Sequence, residues 1–153
     1  MKNLFVICVV VVALAVPGYA GVKEKKATRA LEAAAKAGVT EIQAACGNAK
    51  LAHKVTVGKK FDASQIHIAE INVGDFVKGM KKVCEDPDYK EEIAKVTKIE
   101  FTLTDSKEKT GSKTKLYGGI SVKGKTMKVV LHISNSMGNN DASTVPNVVK
   151  ELY

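Results

Sequence analysis

The sequence predicts an α+β domain in which several short helices cover an antiparallel sheet, a three-strand C-terminal meander joined by one earlier strand. Three observations lead there. Apolar residues recur at helical spacing through most of the first half; from Ile99 to Ile133 they alternate with polar ones; and a last helical stretch returns at Val145. A chain of 153 residues with 45% hydrophobic and 26% charged residues has the material for one core. No repeat and no linker rich in Pro, Gly or Ser divides it after residue 20, so residues 21–153 are expected to form a single domain.

Residues 1–20 read as a cleaved signal peptide. Lys2 supplies the positive start, Leu4 to Val16 are unbroken apolar residues, and Pro17-Gly18-Tyr19-Ala20 end the run with small residues at the positions a signal peptidase needs. As a helix that run would span roughly 20 Å, short of the hydrocarbon core of about 30 Å, and no later segment offers a membrane span. Cys8 lies near the beginning of the run, not at its end behind small residues, which disfavours a lipid anchor. Cys46 and Cys84 then remain as an even pair in a chain bound for an oxidising compartment, and a structural disulfide is expected. Two buried free thiols would be the reading if the leader were wrong. The absence of any Asn-x-Ser/Thr acceptor fits a periplasmic or extracellular destination.

Residues 23–37 are strong helix formers, and Gly38 is expected to close them with a left-handed cap. Thr40 and Gln43 match a capping box opening a second short helix, with Ile42, Ala45, Cys46 and Ala49 on one side. Residues 53–61 alternate, with Val55 and Val57 on one face of a strand. From Gln65 to Ile71 the pattern fits either helix or strand, and Gly74 is expected to interrupt any helix crossing it. Asn72 is placed as a cap, followed by Val73, Phe76, Val77, Met80 and Cys84 at helical spacing. Asp86-Pro87 starts another helix, burying Tyr89, Ile93 and Val96. Three strands follow: around Ile99, Phe101 and Leu103; around Leu116, Ile120 and Val122; and from Met127 to Ile133. Lys123-Gly124 forms the hairpin turn between the last two. Val145, Val148, Val149 and Leu152 line the closing helix.

Catalytic patterns are scarce. His53, His67 and His132 show no metal-ligand spacing, no GxSxG motif occurs, and the cysteines serve better as a bridge than as nucleophiles. With no Trp and few aromatic residues, sugar-stacking platforms are not expected. The stretch from Ser134 to Ser143 carries one carboxylate, Asp141, and reads as a polar connection, not a calcium loop. Gly118-Gly119 reads as a bulge or close backbone contact. No cofactor or metal is expected.

Charge is the remaining signal. The net charge of +8, one unit of it on Lys2 in the leader, is carried almost wholly by lysine, with Arg29 the single arginine. Lysines attract anions without the bidentate geometry that selects among them, so no specific nucleic-acid partner is expected. Lys107, Lys109 and Lys113 gather around one connection of the meander and Lys123, Lys125 and Lys128 around the next. These are the candidate contacts with an anionic surface, placed at opposite ends of the sheet. The chain is therefore expected to be a small exported, non-catalytic binding or interaction domain whose partner is a protein or an anionic envelope component. The alternative is a small secreted hydrolase, with His53, His67 and nearby carboxylates brought together only in three dimensions.

Overall fold

The computed structural model describes residues 18–58, 60–103, 119–131 and 144–153. The leader run Leu4 to Val16, the lysines 107, 109 and 113, Leu116, Gly118, His132, Ile133 and the Ser134 to Ser143 stretch lie outside the described residues. The chain order is α1 (Gly18–Cys46), β1 (Ala52–Val57), α2 (Ala63–Val83), α3 (Pro87–Ala94), β2 (Lys98–Leu103), β3 (Ile120–Lys123), β4 (Thr126–Leu131) and α4 (Thr144–Lys150). None of the described helices is long and apolar enough to cross a membrane.

Two helices are longer than the sequence pattern indicates. The expected cap at Gly38 and capping box at Thr40 are replaced by one continuous α1. Gly38 is buried where α1 crosses α2, and a Cβ there would run into the Val77 side chain. The glycine thus serves close packing, and tertiary contact overrides its low helix propensity. Thr40 Oγ1 donates back to Lys36 O within the helix at 3.1 Å, while Gln43 Nε2 donates to Leu51 O at 2.7 Å. The ambiguous stretch before Asn72 is helical too. Asp62 and Gln65 form the capping box of α2, with Asp62 accepting from the Gln65 backbone at 2.9 Å and Gln65 Oε1 accepting from the Asp62 N–H at 3.0 Å. Asn72 is therefore no cap; it is buried inside α2. Gly74 does not interrupt the helix, because the burial of Val73, Phe76, Val77 and Met80 around it outweighs the low helix propensity of one glycine. Asp86 caps α3 with Pro87 in its first turn, as its sequence indicates.

The sheet is mixed, in the order β1-β2-β4-β3. β1 runs parallel to β2, β2 runs parallel to β4, and only β3 and β4 form an antiparallel hairpin, with Gly124 at φ 59° in its turn. This corrects the expected antiparallel meander. Helices α2 and α3 separate β1 from β2, and a connection of that length returns a strand in parallel. β4 takes the inner place because Met127, Val129, Val130 and Leu131 are all buried, whereas short β3 exposes Ser121 and Lys123 and suits an edge.

One face of the sheet lies under the helices. Ile99, Phe101, Leu103, Met127, Val129 and Ile120 meet Leu31, Ile42, Ile66, Val73 and Met80 in one core. Phe76 of α2 stands edge-on to Phe101 of β2, ring centres 5.5 Å apart and planes at 87°. The side chain of Val145 in α4 occupies the space beside Gly79. Buried Asn48 ties the turn after α1 to the end of α3, its Nδ2 donating to Ile93 O and Val96 O at 3.0 and 2.7 Å. The expected disulfide is present: Cys46 at the end of α1 is bonded to Cys84 at the cap of α2, with Cα atoms 5.1 Å apart.

Candidate functional site

The opposite face of the sheet carries the charge. Side chains alternate along a strand, so parallel register places Lys54, Glu100 and Lys128 in one row across three strands, with Ser121 beyond. The neighbouring row holds Ala52, Lys98, Thr126 and Lys123. Among the described residues, four lysines from four strands thus share this face with a single carboxylate. Glu100 Oε1 lies 2.7 Å from Lys98 Nζ and 3.8 Å from Lys54 Nζ. The hydrogen bond from Lys98, followed by the charges of Lys98, Lys54 and Lys128, holds the Glu100 carboxyl below the usual glutamate range. Further along this face Val130 is buried, while Thr56 in the same row is exposed.

Of the lysines singled out in the sequence, Lys123 and Lys128 sit on this face. Lys125 is exposed in the adjoining turn, where its carbonyl accepts from Thr97 N at 2.8 Å. That turn lies beside the start of β2. Leu103 and Gly119, which flank the segment containing Lys107, Lys109 and Lys113, stand at the other end of the sheet. Sequence reasoning missed Lys54 and Lys98. Their partners on the face are set by the parallel order of β1, β2 and β4, and the helices between β1 and β2 were the signal for it. Gly119 has φ 103° and its carbonyl accepts from Val130 N at 3.0 Å, which carries the β3–β4 pairing one residue further.

The two described histidines do not converge. His67 is exposed on α2 with Nδ1 3.1 Å from Glu70 Oε2, while His53 stands at the start of β1 and lines a different, open groove against α1. Among the described residues no three His, Cys, Asp or Glu side chains could hold a metal ion together. The void beside Asn72, bounded by Phe76, Ile120 and Val129, offers about 10 Å³, room for one water and not for an organic ligand. Comparison with models of protein families, with curated proteins and with solved structures yields no match.

Proposed function

We propose that the chain is an exported, non-catalytic binding domain whose lysine-rich sheet face meets an anionic envelope surface. The observation that carries this reading is the placing of Lys54, Lys98, Lys123 and Lys128 on the side of the sheet away from the helices, with Glu100 the one carboxylate in their two rows. Lysine without arginine supplies attraction with little selectivity, as a surface of lipid headgroups requires. The leader-like residues 1–20 and the Cys46–Cys84 bond support export to an oxidising compartment.

The test is co-sedimentation of the exported protein, recovered from cells expressing the full chain, with vesicles of anionic phosphatidylglycerol or neutral phosphatidylcholine. Binding is expected to the anionic vesicles alone, fading as salt shortens the Debye length from ≈ 10 Å at 0.1 M. At ~1 kcal/mol per lysine near such a surface, the triple variant Lys98→Gln, Lys123→Gln, Lys128→Gln is expected to bind at least tenfold more weakly. Equal binding by wild type and triple variant would remove the face from the argument.

A further inference from the structure

β1 is an edge strand, and its outer edge borders a groove shared with α1. We infer that this edge is a docking site for an extended acidic segment of a partner protein, which adds to the sheet as a fifth strand beside β1. The inference rests on the reading of the chain as a binding domain, but it uses a surface apart from the lysine-bearing face.

The backbone of β1 defines the edge. Ala52 N–H donates to Thr97 O and Gly58 N–H to Leu103 O, so the even-numbered residues of this stretch turn their peptide groups toward β2. In a parallel ladder alternate residues point their N–H and C=O groups to opposite sides. The groups of His53, Val55 and Val57 therefore point outward, and among the described residues no strand pairs with them. A row of unpaired donors and acceptors is the template that an extended peptide completes.

The groove beside that edge selects the charge. Arg29, Glu32 and Lys36 fall on one stripe of α1, and they face His53, Lys54 and Val55 across an open space of about 510 Å³. Exposed Ala33 on the same stripe leaves room for a guest side chain. Neither Arg29 nor Lys36 has an ion-pair partner among the described residues, and Lys54, 61% exposed, has only Glu100 at 3.8 Å. Two cations on α1, Arg29 and Lys36, against one carboxylate, Glu32, make the groove complementary to acidic side chains, while Lys54 turns its side chain to the opposite face of the sheet. A guest strand lays every second side chain toward α1, where its carboxylates meet Arg29 and Lys36. The guanidinium of Arg29 adds the bidentate geometry that the sheet face lacks.

The probe is an octapeptide of alternating threonine and glutamate, with a threonine–lysine octapeptide as control, titrated into the exported protein while amide exchange is followed. The acidic peptide is expected to bind and to slow exchange at His53, Val55 and Val57; the basic one is expected to do neither. The double variant Arg29→Gln, Lys36→Gln should weaken binding at least tenfold. Both positions are exposed, so folding is retained. Val55→Pro removes the central outward N–H, a site where an edge strand tolerates proline, and should abolish binding. If that variant fails to fold, the double variant still decides. The triple variant of Lys98, Lys123 and Lys128 should bind the peptide as wild type does, which separates this inference from vesicle binding. Peptide binding without protection of these three amides, equal binding of the basic peptide, or no binding at all would overturn it.

Discussion

The two faces of the sheet come from the same strands and obey different constraints. Beneath the helices, Ile99, Phe101, Met127 and Val129 are held by the volumes of their neighbours, and each contact leaves little freedom. One residue along, Lys98, Glu100 and Lys128 touch solvent and one another, and charge is what relates them. Changes on the covered face should therefore register as stability, and changes on the open face as affinity. Variants that cross this division are the means of breaking the comparison.

The largest effect belongs to the covered side. The Cys46–Cys84 bond closes a loop spanning β1 and all of α2, and by the chain-entropy relation for a separation of 38 residues its loss costs about 4 kcal/mol. A Cys46→Ala, Cys84→Ala double variant should lose about that much unfolding free energy, seen as a lower urea midpoint, with no change in vesicle affinity while it remains folded. Weaker vesicle binding under folding conditions would mean that the bond also sets the geometry of the open face.

Next come three glycines that look alike in the sequence. Gly38→Ala and Gly79→Ala each push a Cβ into a packed valine, Val77 and Val145 respectively, and are expected to destabilise by about 1–3 kcal/mol. Gly74→Ala meets open space in the same helix as Gly79 and is expected to stabilise by ~0.5–1 kcal/mol. Thermal unfolding of the three variants measures the difference. A uniform response would show that helix propensity, not contact, governs these positions.

These glycines also mark how far the sequence can be read. The apolar periodicity located Val73, Phe76, Val77 and Met80 on a buried helix face and Ile99, Phe101 and Leu103 on a buried strand face, because burial leaves its period in the chain. Gly38 and Gly74 carry the same local signal, a helix breaker, yet one sits in a crossing and the other in solvent; only the partner helix distinguishes them. Asn72 resembles a cap because it directly precedes the apolar helical run from Val73, whereas the capping box that opens α2 lies ten residues earlier, at Asp62 and Gln65. The disulfide was legible from the even number of cysteines left outside the expected leader. The lysine face was half legible: Lys123 and Lys128 are neighbours in sequence, whereas Lys54 joins them through strand order, which the hairpin signal at Lys123-Gly124 does not contain. Arg29 stood out by its rarity, but its place opposite His53 depends on α1 crossing β1.

The smallest effect sharpens the comparison most, because it changes one charge and no packing. Glu100 is the single carboxylate in the two rows that carry the lysines, and Lys98, Lys54 and Lys128 hold it ionised below the usual glutamate range. A lowered carboxyl value means that its pairing with these lysines is fully present above the ordinary range and is lost as pH falls through the depressed value. While ionised, Glu100 offsets part of the attraction that the lysines exert on an outside anion. Glu100→Gln should therefore raise retention on a sulfonated resin, whose charge is fixed over this range, by a few-fold at neutral pH. On acidification, wild type should gain retention relative to the variant, with the gap closing only below the ordinary glutamate range. The salt needed for elution, recorded against pH for both proteins, gives the curve. A gap that persists after Glu100 is protonated would show that the carboxylate acts by positioning Lys98, and a gap that never opens would place the anion-facing surface somewhere other than this sheet face.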